Sequence, residues 1–195
     1  MIRETDSKEK IKNSFINLIS KYGFDKLTVT DITRDANINR GTFYLHYTDK
    51  YNLIELLKED IMNDLEEIFY SEITSKDEDI DEIISYKIIL KSIKYLKSNF
   101  DLIRAMYKAE GDSKFMLSLR NILEKLLFTK LKDSAGLNFS NGEIKMEYAI
   151  ELFLHSIISV ISLWIRRDGL ESPEEIANII AISKNIAPKD LIAKN

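Results

Sequence analysis

The chain has 195 residues, of which 45% are hydrophobic and 31% charged, with a net charge of −4; this is ordinary for a water-soluble chain long enough to form one or two packed domains. There is no cysteine, which excludes disulfides and thiolate metal sites and is compatible with a reducing compartment. The charge is uneven: residues 1–53 hold 9 Lys/Arg against 7 Asp/Glu, a net of +2, whereas the remainder holds 19 against 25, a net of −6.

With only 6 Gly and 2 Pro between long periodic stretches, an all-α chain of about nine helices is expected. Met1 to Asp6 is polar and expected to fray. A first helix is predicted from Ser7 to Tyr22, with Ile11, Phe15, Leu18, Ile19 and Tyr22 on one stripe. Gly23 stops it in the left-handed cap position, and Phe24 and Leu27 then turn back beneath the next element. Arg3 before this helix and Lys8, Lys10 and Lys12 on it are charges that could brush phosphate; each singly fits a solvated face better.

From Leu27 to Lys50 the sequence reads LTVTDITRDANINRGTFYLHYTDK. Thr28 stands three residues before Asp31, the spacing of a capping box, and opens a short helix from Val29 to about Ala36. Asn37 supplies a left-handed turn, Ile38 plugs the corner, and Asn39 is placed to cap a second helix running from Arg40 to about Tyr47. Two helices joined so tightly cross at a steep angle, the geometry of a DNA-binding helix-turn-helix. On the second helix Phe43 and Tyr47 share the inner face at i, i+4, leaving Arg40, Thr42, Tyr44, Leu45 and His46 outside. Arg40 suits the bidentate edge of guanine, Thr42 a base edge or methyl, and Leu45 a thymine methyl. Gly41 removes a side chain where the helix would approach the groove.

The run INRGTFYLHYTDKYNL, led by FDKLTVTDIT, resembles the N-terminal signature of the TetR family of bacterial transcriptional regulators. The resemblance is strong over roughly the first fifty-five residues and architectural beyond them. The family's turn usually reads Ala-Gly-Val-Ser; here it is Ala36-Asn37-Ile38-Asn39, with the role of each position kept. The resemblance implies a DNA-binding domain over residues 1–50 and a helical effector-binding and dimerisation domain over 51–195. It also implies phosphate contacts for Tyr44, His46 and Lys50, a backbone contact for Thr28 and, in some members, a base contact for Thr30.

Thr48 or Asp49 caps a fourth helix to about Ile73, striped by Leu53, Ile54, Leu57, Ile61, Leu65, Ile68 and Phe69. The acidic run Ser75 to Glu82 begins like a calcium loop. That possibility fails, because Glu82 occupies the glycine position and Ile88 the bidentate glutamate position. Further helices are expected over Asp81–Lys97 (Ile84, Ile88, Ile89 and Tyr95 inward), Phe100–Ala109 and Asp112–Lys132, then a loop over Asp133–Asn141. Asn138-Phe139-Ser140 fits a glycosylation acceptor by chance alone. Glu143–Arg167 is the most apolar helix, interrupted by Glu151, His155 and serines; its length and charges suit burial on both faces better than a membrane span. Ser156, Ser159 and Ser162 form a strip open to another helix. After Gly169, Ser172-Pro173-Glu174-Glu175 starts a last helix with Ile176, Ile179, Ile180 and Ile182 on its apolar side. The last two helices of two chains are expected to form a four-helix bundle, as in TetR-like homodimers.

For an unidentified small-molecule effector, Tyr95, Met106, Tyr107, Phe115, Glu151, His155 and Trp164 are the candidate lining, with Tyr86, Phe100, Met116 and Phe153 as further material; each also fits plain core packing. Glu151 and His155, at i, i+4 on a greasy helix, need polar partners. No cofactor and no metal are expected. Catalysis has no support: there is no glycine-rich phosphate loop, no HExxH, and the two histidines lie far apart. No charged-then-apolar leader precedes the first helix, so a cytoplasmic location is expected. The function read here is a repressor released from a palindromic operator by an effector. The alternatives are a helical protein–protein adaptor that does not bind its own operator, and an unrecognised enzyme using the C-terminal domain.

Overall fold

A computed structural model describes residues 2–73, 84–110, 112–133 and 144–183. Among the described residues there are nine helices and no strand: α1 (Ile2–Tyr22), α2 (Val29–Asp35), α3 (Arg40–Tyr44), α4 (Lys50–Ile73), α5 (Tyr86–Ser98), α6 (Phe100–Glu110), α7 (Asp112–Asp133), α8 (Met146–Arg166) and α9 (Pro173–Ser183). The acidic run Ser75 to Glu82, most of the loop at 133–141 and the glycosylation pattern lie outside the described residues, so the calcium reading meets no structure.

Contacts divide the chain into two compact units, Met1–Asn63 with Asn99–Phe115, and Asp64–Ser98 with Met116–Asn195. The first unit holds α1, α2, α3, the start of α4, and α6, which packs on α1. Its core is Ile11, Phe15, Ile32, Phe43, Leu53, Ile103 and Met106, all fully buried. At roughly 1.5–3 kcal/mol for each buried large side chain, this core outweighs anything the short helices could contribute by propensity. Phe15 meets Phe24 edge-on at 6.3 Å, and Phe24 meets Tyr51 at 5.3 Å, which ties α1 to the first turn of α4.

Several boundaries differ from the sequence expectation, each for a local reason. Helix α1 already runs from Ile2, through the stretch expected to fray. Tyr22, placed on its buried stripe, is 60% exposed, because α1 ends there and Gly23 at φ +77° turns the chain away. Helix α3 stops at Tyr44 instead of continuing to Tyr47, as the Phe43 carbonyl accepts from both the His46 and Tyr47 N–H groups at 3.0 Å and tightens the last turn. Asp49, not Thr48, caps α4: its Oδ1 accepts from the Tyr51 and Asn52 N–H groups at 2.8 Å. Helix α5 starts at Tyr86, after Ser85, whose hydroxyl accepts from Ile88 N–H at 3.3 Å.

In the second unit α5 packs closely on α9, and α9 on α8. Ile88, Ile89, Ile93 and Leu96 of α5 face Ile176, Ala177 and Ile180 of α9 in a wholly apolar seam apart from Ser92. Polar clasps close its rim. Lys94 pairs with Glu174 at 2.9 Å, and Lys97 Nζ donates to the Gly169 carbonyl at 2.7 Å while lying over the Trp164 ring. Lys125 of α7 pairs with Glu66 of α4 at 2.6 Å. The turn after α8 puts Asp168 and Gly169 at positive φ, and Ser172 and Glu175 form the expected reciprocal cap of α9, with bonds of 2.7 to 3.2 Å. Helix α8 is apolar and long enough to cross a membrane by length and composition. Ile150, Leu154, Ile157, Ile161, Trp164 and Ile165 bury one side of it within its own unit. Ile179 and Ile182, expected inward on α9, are 45% and 54% exposed.

Candidate nucleic-acid interface

The helix-turn-helix is set by local chemistry. Thr28 caps α2 with φ −117° and ψ 157°, its hydroxyl accepting from Asp31 N–H at 3.2 Å, while the Asp31 carboxylate accepts the Thr28 N–H at 3.2 Å and the hydroxyl proton. These bonds, together with Arg34 at 2.7 Å, hold the Asp31 carboxyl below its ordinary range, the Thr28 hydroxyl being the main cause. Asn37 takes φ +51° in the turn, as a residue that tolerates the left-handed region must. Ile38 is half-buried, and its N–H reaches the Thr33 carbonyl at 3.0 Å. Phe43 is fully buried and Tyr47 is 6% exposed, so the inner face of α3 is the one predicted. Burial raises the Tyr47 phenol above its usual value, helped by the charge of Asp60.

Pinning Phe43 inward forces its neighbours outward. Arg40, Gly41, Tyr44 and Leu45 are exposed, and Thr42 and His46 are half-buried. Leu45 is 81% exposed, an apolar side chain with no packing role in its own unit. Arg40 does not wave freely: its guanidinium donates to the Tyr44 hydroxyl at 3.2 Å and lies 5.9 Å from the centre of the Tyr44 ring. The Tyr44 ring stands edge-on to Phe43 at 5.6 Å, so the buried core orients Tyr44, and Tyr44 orients Arg40. A Cβ added at Gly41 would meet nothing within 4 Å, so the fold itself does not demand glycine there.

Two residues sit differently from expectation. Lys50 is turned back, its ammonium donating to the Phe24 and Asp25 carbonyls at 2.9 and 3.1 Å and lying 4.8 Å from the Phe24 ring. It holds the loop before α2 and is not extended toward solvent. Asn39 occupies the cap position of α3 with extended φ and ψ, but its side chain makes no capping bond. It is exposed beside Arg40, and so joins the outward set that assigning it a capping role had removed it from. Thr28 and Thr30 are exposed at the start of α2.

The residues expected to line an effector pocket are divided between the two units. Met106 and Phe115 are fully buried and Tyr107 half-buried in the first unit. Tyr95, Glu151, His155 and Trp164 belong to the second. There Tyr95 donates its hydroxyl to Asp64, Glu151 is exposed and paired with Arg120, His155 is exposed, and Trp164 donates its indole N–H to the Glu171 carbonyl at 3.0 Å. A cavity of about 30 Å³ in the second unit is walled by other residues: Leu65 and Phe69 of α4, Leu96 of α5, Leu123 of α7, Ile161 of α8 and Ile180 of α9 are among them.

A capped α2, a left-handed turn and a short α3 with an outward Arg–Tyr–Leu face define a helix-turn-helix protein of the all-helical regulator class. The family model for bacterial regulatory proteins of the tetR family matches residues 16–57, and one for a transcriptional regulator C-terminal region matches residues 84–184. The chain belongs to the TetR family of bacterial transcriptional regulators. An uncharacterized HTH-type transcriptional regulator of Bacillus subtilis, YvdT, is 38% identical over 63 residues, which is 32% of this chain and 32% of that relative. The curated relatives are therefore matched over a third of their length or less. Among solved structures, a TetR regulator from Streptococcus agalactiae has a TM-score of 0.63 at 23% identity, covering 92% of this chain and 94% of its own. One from Syntrophomonas wolfei has 0.66 at 17%, with the same coverage. These likenesses establish the fold.

Proposed function

We propose that this chain is a homodimeric repressor whose two α3 helices enter successive major grooves of a palindromic site about one helical turn apart. The observation that carries it is the outward face of α3, where Leu45 is 81% exposed beside an Arg40 held in place by Tyr44. An exposed leucine at the C-cap of α3 has no packing reason, but it suits a thymine methyl; an oriented guanidinium suits guanine O6 and N7. Thr42 and Asn39 are within the same face as further base-edge candidates. Thr28, Thr30, Tyr44 and His46 serve the phosphates. Lys50 supports them by fixing the loop at Phe24.

Dimerisation uses α8 and α9. Ala149, Leu152, Ser156, Ser159 and Leu163 recur at alternating steps of three and four along the side of α8 opposite its buried stripe, with Leu152 64% and Leu163 50% exposed. That spacing and that mix of leucine with small residues form a seam for a second helix of the same kind. Ile179 and Ile182 of α9 extend it. The regulator is cytoplasmic and performs no reaction of its own; an effector bound in the second unit shifts α4 and releases the DNA, which requires the effector to favour the released state. Sequencing the DNA that the purified protein retains from a random pool tests this. The expected product is a two-fold symmetric motif bound by two chains; recovery of no motif at low salt would favour the adaptor alternative.

A further inference from the structure

Resting on the regulator reading above, we propose that Asn39 is a second base-reading residue, its side-chain amide pairing with the N6 and N7 edge of an adenine in the base pair next to the guanine met by Arg40. Asn39 stands at the N-cap of α3 with extended backbone, φ −69° and ψ 146°, and its side chain makes no capping bond. The backbone explains why. A capping side chain ordinarily serves the N–H of the second or third helical residue. Here the Thr42 N–H is already bonded to the Asn39 carbonyl at 3.0 Å, as is the Phe43 N–H at 3.3 Å. The amide is therefore not used by its own helix, and Asn39 is exposed.

Its place in the motif aims that amide at a base edge. A helix-turn-helix presents the N-terminal residues of its second helix to the bases, and Asn39 immediately precedes Arg40, the first residue of α3. Consecutive Cα atoms are about 3.8 Å apart and nucleotides along one strand about 3.4 Å, so two adjoining side chains reach two adjoining base pairs. Asparagine is short, and the backbone must come close for it to reach. Gly41 permits that approach, because the space where its Cβ would stand holds nothing of the protein within 4 Å. The choice of base follows from the amide, which carries one acceptor and a donor side by side. In the major groove only adenine sets a donor, N6–H, beside an acceptor, N7, and so takes two bonds from a carboxamide. Guanine offers two acceptors and would leave the amide oxygen unpaired; cytosine and thymine offer one polar group each.

The duplex selected by the full-length protein is remade with 7-deazaadenine, which lacks the N7 acceptor, at one adenine at a time, and binding is measured at one salt concentration. Wild type should weaken about fivefold, the worth of one hydrogen bond, at an adenine beside the guanine that Arg40 meets. Asn39→Ser keeps a side chain able to cap a helix, so its circular dichroism and Tm should match wild type. It should bind the natural and the 7-deaza duplex alike at that position, while keeping the guanine preference that Arg40 supplies. Absence of adenine beside that guanine, wild-type indifference to N7 there, or an N7 dependence that survives in Asn39→Ser overturns the assignment. The two readings fail differently: a chain that binds no duplex at low salt sinks the regulator reading, whereas a guanine preference that depends on Arg40 without any N7 dependence removes Asn39 alone.

Discussion

Helices α3 and α8 both turn apolar side chains to solvent, and they do so for different kinds of surface. Tyr44 of α3 and Leu45 at its C-cap are flanked by Arg40, Thr42 and His46, groups that can meet base edges and phosphates. Leu152 and Leu163 on α8 are flanked by Ala149, Ser156 and Val160, small or apolar groups with nothing to offer a phosphate but good contact for another helix. Exposure alone is common on protein surfaces; the chemistry of the immediate neighbours is what separates the proposed nucleic-acid face from the proposed self-complementary one.

The sharpest way to break this comparison is at α8. Leu152→Glu with Leu163→Glu should convert the dimer to a 22.7 kDa monomer at micromolar concentration by sedimentation. Four leucines lost across a two-fold are worth roughly 6 kcal/mol or more; an unchanged mass would remove α8 from the interface. Next in size is Phe43→Ala, which should cost the first unit about 3–5 kcal/mol and abolish DNA binding. The unfolding transition reported by Trp164 in the second unit should move far less; equal losses in both units would mean that they unfold as one.

Smaller changes sharpen the α3 side. Gly41→Ala should leave the first unit as stable or more stable by up to ~1 kcal/mol, since alanine is the better helix former and the added methyl meets nothing, while weakening DNA binding by crowding the groove. A variant that loses stability as well would contradict the open space seen at Gly41. Thr28→Ala should cost about 1 kcal/mol and remove an acid-sensitive contribution. Because the folded-state pKa of Asp31 is depressed, its contribution is present above the ordinary carboxylate range and is lost as pH falls through the folded value. Urea midpoints measured from pH 7 downward should converge for wild type and variant; a constant gap would assign the effect to the hydroxyl alone. The opposite sign holds for Tyr47, whose raised pKa means stability present below the ordinary phenol value and lost as pH rises through the folded one. Tyr47→Phe should flatten that alkaline loss.

Most of the helix-turn-helix was legible in the sequence because its determinants are short-range. The Thr28–Asp31 spacing, Asn37 in the turn and the Phe43/Tyr47 pair act within four residues of one another, and each stands where it was read. Lys50 was not legible: its partners, the Phe24 and Asp25 carbonyls, lie 26 and 25 residues away, and no local rule reports such a bond. The same limit governs the second unit. Amphipathic spacing located its helices, but the cavity is formed by residues of α4, α5, α7, α8 and α9 that are distant in sequence. Among the aromatics singled out for the effector site, Phe115 is a fully buried core position of the first unit.

The central claim is that Arg40 reads a base from the outer face of α3. It is tested most directly by titrating wild type and Arg40→Ala, at one fixed salt concentration, against the selected duplex and against the same duplex with its candidate guanine replaced. Wild type should prefer the original duplex by the roughly 1–3 kcal/mol that a bidentate contact carries, and Arg40→Ala should bind both alike. A variant that keeps the wild-type preference at that base pair would contradict the account.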